Sequence, residues 1–265
     1  MTSTPAERLP LSVSLIASNE AANLPRCLAS VQEWCAEIVV VTNDCRDDTE
    51  EIARRHGARV VPNAWKDFQD QKNVSLDACT QPWVLCLDAD EEVSWPLRAE
   101  IEDFFRTGQH GRFAAADLPR KSLFLGRWLK HGDAYPDRCL RLLRRGASRW
   151  GGDRSHTFIT VPGSVAKLKT DLLHYSYPSL AIQFYKIGRQ ADDFARNAAA
   201  AQRRFSLLDA LFRPGWRFFR AYVLRRGFLD GYPGFYLAAA TSFSALLRYS
   251  RLYEAEHSTT TPPKS

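Results

Sequence analysis

Three carboxylates fall within four residues at Asp88-Ala89-Asp90-Glu91, directly after an apolar run, WVLCL at 83–87. A run of that length fits a strand buried on both faces, so the acidic residues stand where a strand ends. Open α/β sheets place their ligands at the carboxyl ends of strands. Hard oxygens there suit a divalent cation, Mg²⁺ or Mn²⁺, and such a cation suits phosphate. The competing reading is local: Asp88 closes the strand in an Asx turn and Asp90 caps a helix beginning near Trp95-Pro96.

The elements that must position these residues alternate along the chain. LSVSLIA at 11–17 and EIVVVT at 37–42 read as strands, with 59–61 a third and 83–87 the fourth. Helices are expected from Asn23 to about Trp34, with Pro25 in the first turn, over 49–56 up to Gly57, over 67–79 and over 96–106. Such alternation predicts a doubly wound, mostly parallel α/β sheet. Its strand ends carry Asn19-Glu20, Asn43-Asp44 and Asp88-Ala89-Asp90. Neither GxGxxG nor GxxxxGK[ST] is present, which disfavours a glycine-cradled nucleotide. Carboxylates and amides in their place suit a nucleotide held by its base and ribose, with a metal neutralising its diphosphate.

The chain has 265 residues and a net charge of +6, unevenly spread: 1–110 carries −9, 111–180 carries +8 and 181–265 carries +7. A basic second half is expected to meet something anionic. The acidic first half, and the lack of a continuous basic and aromatic stripe, argue against nucleic acid. Cysteines 27, 35, 45, 79, 86 and 139 form no CxxC pair, which favours buried, reduced thiols over disulfides or zinc. The opening MTSTPAERLP lacks the apolar stretch of a signal peptide, so a cytoplasmic location is expected.

In the second half, 113–118 and 139–143 read as strands around a loop holding Phe124, Trp128, His131, Asp133, Tyr135 and Asp137. Aromatic faces beside carboxylates suit a sugar. Residues 179–205 have helical periodicity. Farther on, Phe212, Trp216, Phe219 and Val223 share one stripe while Arg213, Arg217 and Arg220 share another. This is a basic amphipathic helix of the kind that lies on an anionic membrane surface, or one packed on its own domain with a solvated arginine face. The uncharged stretch 231–247 is only 17 residues long, marginal for about 30 Å of hydrocarbon, and suits an interfacial or buried helix. The tail, 254–265, reads as disordered.

The ordered series SNE, EIVVVT-NDCRDDT-EEIA, DQKN and WVLCLDADE resembles the family 2 glycosyltransferases, whose GT-A fold binds a nucleotide-sugar. Residues 123–145 (LFLGRWLKHGDAYPDRCLRLLRR), 172–179 (LLHYSYPS) and 225–235 (RRGFLDGYPGF) resemble the lipopolysaccharide core glucosyltransferase group of that family. The resemblance covers roughly 10–250; together with the composition it gives an expected nucleotide-sugar-binding and acceptor domain over 1–178, a basic amphipathic helical extension over 179–253 and a disordered tail over 254–265. It also implies that Glu20 sits at the nucleoside and that Gln71, Lys72 and Asn73 help close the donor pocket. Asp88 would face the ribose and sugar, and Asp90 the metal on the diphosphate of a UDP-linked donor. The family usually has an Asp directly after the second strand; here Thr42-Asn43 stands there, leaving Asn43 or Asp44 to substitute.

An inverting transferase needs a general base on the acceptor hydroxyl. Asp137, in the block matching the family's PDxQxRLF pattern, is the first choice, Asp153 the second and Asp133 the third. The family's usual His-Glu pair is broken, because Thr157 follows His156. The expected acceptor is a lipopolysaccharide-core or other lipid-linked saccharide at the inner face of the cytoplasmic membrane. Two other classes compete: a nucleotidyltransferase using the same acidic strand end, and a non-enzymatic basic membrane-surface module.

Overall fold

The computed structural model describes residues 8–146, 148–152, 157–176 and 179–257. The chain forms two compact units, one of residues 1–121 and 137–175, the other of 122–136 and 176–265.

The first unit begins with β1 (Leu9–Ala17), α1 (Leu24–Ala29), β2 (Cys35–Thr42), α2 (Thr49–Arg55), β3 (Arg59–Pro62), α3 (Phe68–Ala78) and β4 (Trp83–Asp88). Then follow β5 (Glu91–Val93), α4 (Trp95–Arg106), β6 (Ala115–Phe124), the two-residue β7 (Arg127–Trp128), which falls in the second unit, β8 (Asp137–Arg144), β9 (Arg149–Gly152), β10 (Thr157–Thr160), β11 (Val165–Lys167) and β12 (Leu172–His174). The sheet order is β3-β2-β1-β4-β8-β6-β12-β5, with β11 beside β6 and β7 beside the last residues of β6.

Four strands are parallel, as the alternation predicts, but the parallel wind stops at β4. β8 joins β4 antiparallel and β6 joins β8 antiparallel. No α-helix separates β6 from β8, only a 3₁₀ turn at Gly132–Ala134, and parallel neighbours usually need a crossover helix. The sheet is therefore mixed, GT-A-like, and not doubly wound throughout.

β1 lies at the centre of the parallel half, so both of its faces are covered. Leu11, Val13 and Leu15 are buried on one side, Ser12 and Ser14 on the other. The buried serines satisfy one another's neighbours: Ser14 and Ser75 hydroxyls are 2.8 Å apart, and Ser75 donates to the Leu15 carbonyl at 3.0 Å. This pins α3 to β1 one turn away from Lys72. On α4, Leu97, Ile101, Phe104 and Phe105 recur at helical spacing and face the core.

Several boundaries differ from those the sequence suggests. α1 stops at Ala29, and Trp34 instead donates its indole N–H to the Ser30 carbonyl. The first helix of the basic extension ends at Ala200. The last helix, Gly231–His257, takes in 254–257, which the sequence assigns to the tail.

The second unit holds α5 (Leu180–Ala200), α6 (Leu207–Phe219), a π-helical turn (Arg220–Leu224), a 3₁₀ turn (Gly227–Asp230) and α7 (Gly231–His257). Its two glycines at 227 and 234 permit close backbone approach: a Cβ on Gly234 would meet the Gly227 carbonyl oxygen at 2.0 Å. Buried Asp230 accepts the backbone N–H groups of Lys130 and His131 at 2.9 and 2.8 Å and the His131 ring at 3.0 Å. Residues 122–136 are thereby tied to the C-terminal helices, although they precede β8 in the chain. Among the described residues, no helix is long and apolar enough to cross a membrane.

Candidate active site

Strand register brings the acidic ends together. Ala17 of β1 lies opposite Thr42 of β2, and Ile16 lies opposite Asp88 of β4. The loops that follow β1 and β2 are laced to each other. Ser18 donates to the Asn43 carbonyl, Arg46 N–H to the Asn19 side chain at 2.8 Å, and Glu20 N–H to the Thr49 hydroxyl at 2.8 Å. Asn19 and Asp44 hold φ of 58° and 42°, a left-handed conformation that Asn and Asp tolerate better than most side chains. Glu20 also accepts from the Asn23 amide at 2.9 Å, so it closes the first turn of α1. The Asp44 carboxylate is exposed, and Asn43 is half-buried beside it.

At the end of β4, the two oxygens of Asp88 are divided between two cations. Lys72 Nζ stands 3.0 Å from Oδ1 and Arg141 Nη2 2.5 Å from Oδ2. The same Arg141 nitrogen stands 2.5 Å from Oε1 of Glu91. Glu91 accepts Asp88 N–H at 3.0 Å and Arg120 Nη1 at 3.1 Å, and Arg120 then donates twice to Oδ2 of Asp137, at 2.9 and 2.6 Å. Burial alone would raise the Asp88 pKa, but Arg141 and Lys72 outweigh it and hold the carboxyl well below the usual carboxylate range. Lys72, Arg120 and Arg141 thus match Asp88, Glu91 and Asp137 in charge. Asp90 is the carboxylate of the DAD run that this network leaves out.

Asp90 meets a different partner. β12 runs antiparallel to β5, pairing His174 with Glu91, and Tyr175 N–H donates to the Asp90 carbonyl at 2.9 Å. His174 Nε2 then lies 3.4 Å from Asp90 Oδ2. Adjacent ligands in an octahedron with bonds of about 2.1 Å lie roughly 3 Å apart, so this oxygen and nitrogen suit one divalent cation as neighbouring ligands. Among the described residues, no group of three or more His, Cys, Asp or Glu is placed to hold a metal. One carboxylate completed by phosphate oxygens is the kind of set in which Mg²⁺ or Mn²⁺ is held with its substrate, and the softer imidazole beside it favours Mn²⁺ over Mg²⁺. The capping roles are not used: Ser94 caps α4, accepting from Leu97 N–H at 3.3 Å.

The QKN triplet of α3 divides its work. Gln71 is buried and donates to the carbonyls of Asn63 and Ala64, bracing the loop after β3 instead of facing the cleft. Lys72 holds Asp88 and lies 4.3 Å from the centre of the Trp150 ring. Asn73 exchanges two hydrogen bonds of 3.0 Å with the Trp150 backbone. Trp150, which sequence reasoning did not single out, therefore joins Lys72, Asp88, Arg141 and Ser14 around a small open cleft. Only the aromatic character of RWGG hinted at it.

Asp137 stands at the start of β8, partly exposed, with Arg120 orienting it. Asp133 belongs to the second unit and is taken by Arg220 at 2.6 Å and Arg225 at 3.0 Å, which makes it a structural anchor. Asp153 and His156 lie outside the described residues. The thiol of Cys27, beside the acidic run, is pushed up by burial and then by Glu91, Asp88 and Asp90, so it stays protonated and unreactive. All six cysteines are free thiols.

The chain is 28% identical over 253 residues to an uncharacterized glycosyltransferase of Rickettsia typhi, covering 92% of this chain and 87% of that one. It is 27% identical over 254 residues to the lipopolysaccharide core biosynthesis glycosyltransferase LpsC of Rhizobium meliloti, covering 93% of each. A crystal structure of S. aureus TarS in complex with UDP-GlcNAc matches with a TM-score of 0.48 and 11% identity, over 93% of this chain and 91% of that one. The sequence profile of glycosyl transferase family 2 matches residues 12–146, just over half of the chain, and spans β1 through β8 with Glu20, Lys72, Asp88, Asp90, Asp137 and Arg141. The chain is a glycosyltransferase and belongs to glycosyl transferase family 2.

Proposed function

We propose that the protein transfers a sugar, with inversion, from a UDP-linked nucleotide-sugar to a lipopolysaccharide-core or other lipid-linked saccharide at the cytoplasmic face of a membrane. The observation that carries the donor side is the charge arrangement at the end of β4. Asp88 and Glu91 are neutralised by protein cations, whereas Asp90 lies outside that network beside His174.

Asp90 and His174 would hold Mg²⁺ or Mn²⁺, which supplies electrostatic stabilisation to the departing diphosphate. The protein's own residues do the rest. Lys72 and Arg141 fix the Asp88 carboxylate toward the donor cleft, where it can accept hydrogen bonds from ribose or sugar hydroxyls. Glu20 and the laced loops after β1 and β2 border the nucleoside. Asp137, oriented by Arg120, takes the proton of the acceptor hydroxyl as its oxygen attacks the anomeric carbon and the bond to the diphosphate breaks. A base in that position is worth about two to four orders of magnitude in rate. The acceptor class is supported by the relationship to LpsC, whose name places it in lipopolysaccharide core biosynthesis.

The test is a panel of nucleotide-sugars with Mg²⁺ or Mn²⁺ and a truncated core oligosaccharide acceptor. Release of a nucleoside diphosphate, with inverted anomeric configuration in the product by NMR, is expected. Release of pyrophosphate would assign a nucleotidyltransferase instead, and a retained configuration would remove Asp137 from its role.

A further inference from the structure

α6 is packed the wrong way round for a helix that only supports its own unit. Its narrow inward stripe consists of Ala210 and Pro214, continued by Ala221 in the π turn. Its large apolar residues face outward: Leu208 is 81% exposed, Leu211 67% and Phe212 70%, with Trp216, Phe219 and Val223 continuing the line at 44–46%. Positions 208, 212, 216, 219 and 223 recur every three or four residues and share one helix face. Their rings run together, Phe212 and Trp216 at 6.4 Å and Trp216 and Phe219 at 6.1 Å. Soluble surfaces scatter single apolar side chains, whereas a continuous aromatic and aliphatic ridge marks a docking face.

The ridge is bordered by positive charge. Residues 203–226 hold seven arginines and a single acidic residue, Asp209. Arg203 and Arg213 pair with Asp209, and Arg220 and Arg225 with Asp133, so the segment keeps a net positive charge even with its acidic partners counted. Arg213, Arg217 and Arg220 lie on one flank, between the outward ridge and the inward stripe. A second copy of the chain would set this flank against its own like charge. An anionic bilayer meets both features at once, taking Leu, Phe and Trp at the acyl boundary and guanidinium groups among lipid phosphates.

We infer that α6 lies in the plane of an anionic lipid surface, with Leu208, Leu211, Phe212, Trp216 and Phe219 inserted and the arginine flank at headgroup level. The inference rests on this surface and not on the transfer reaction, so vesicle binding tests it without donor or acceptor.

The experiment is co-sedimentation of the full chain with vesicles of phosphatidylcholine alone and of phosphatidylcholine mixed with phosphatidylglycerol, at low and high salt. The wild type is expected to bind the anionic vesicles about tenfold more than the neutral ones, and less at high salt. F212S/W216S, which alters exposed side chains only, is expected to lose most of this binding while keeping its circular dichroism spectrum. R213Q/R217Q should weaken binding to anionic vesicles and leave the small neutral-vesicle fraction unchanged. Equal binding by folded F212S/W216S and wild type would overturn the inference. So would a concentration-dependent dimer in vesicle-free solution that F212S/W216S abolishes, since the ridge would then be a self-association surface.

Discussion

Arg141, on β8, donates from Nη2 to Oδ2 of Asp88, 2.5 Å away at the end of β4, and the same nitrogen reaches Glu91 at 2.5 Å. One buried guanidinium therefore neutralises two carboxylates that the sheet forces together. Truncating it leaves Glu91, which is fully buried, facing Asp88 with less compensation. Arg141→Met is expected to cost about 3–5 kcal/mol of stability by urea unfolding at neutral pH. Arg141→Lys should recover only part, because the lysine stem ends one bond short of the Nη2 position and its ammonium is more strongly hydrated. A Met variant as stable as wild type would contradict the reading.

The same contacts set a pH dependence. The folded pKa of Asp88 is depressed, Arg141 and Lys72 overcoming the effect of burial, while an unfolded Asp titrates near about 3.9. The stabilisation is therefore complete above the unfolded value and is lost as pH falls below it toward the folded one. Urea midpoints should drop between about pH 5 and about pH 3, and Asp88→Asn should flatten that slope. Identical slopes in the two proteins would remove Asp88 as the source.

Asp137 and Asp133 are separated by their partners. Asp137→Asn is expected to lower kcat by about 10²–10⁴-fold with little change in donor KM. Asp133→Asn should lower thermal stability through the loss of its Arg220 and Arg225 contacts, with a much smaller effect on kcat. Steady-state kinetics and melting curves of both variants check this. The reverse pattern would move the base into the second unit.

Much of this site is legible in the sequence. Apolar strands that empty into SNE, TND and DADEE predict where charge gathers, and strand register confirms that these ends adjoin. The resemblance carried by DQKN implies Lys72 at the donor pocket, and the structure sets its ammonium 3.0 Å from Asp88. What composition could not give is the pairing brought about by antiparallel strands far along the chain. Arg141 and Arg120 reach the acidic run only because β8 pairs with β4 and β6 with β8, and His174 reaches Asp90 only because β12 pairs with β5. Nothing in the aromatic loop over 124–137 signals its anchor, Asp230, a lone acidic residue in RRGFLDGYPGF that binds the loop's backbone. Hydrophobic periodicity located the stripe on α6 but not its direction, since the small residues Ala210 and Ala221 give no periodic signal.

In the proposed reaction Asp90 and a divalent cation hold the diphosphate of the donor. Calorimetric titration of UDP into the protein, with Mn²⁺ and with chelator, tests it most directly, using wild type and Asp90→Asn of matching circular dichroism. Mn²⁺ is expected to tighten UDP binding to wild type by about tenfold or more, in line with the effect of losing a metal-site residue, and Asp90→Asn to bind equally weakly with and without the metal. UDP binding that ignores chelation in wild type, or that keeps its full metal dependence in Asp90→Asn, would contradict that role of Asp90.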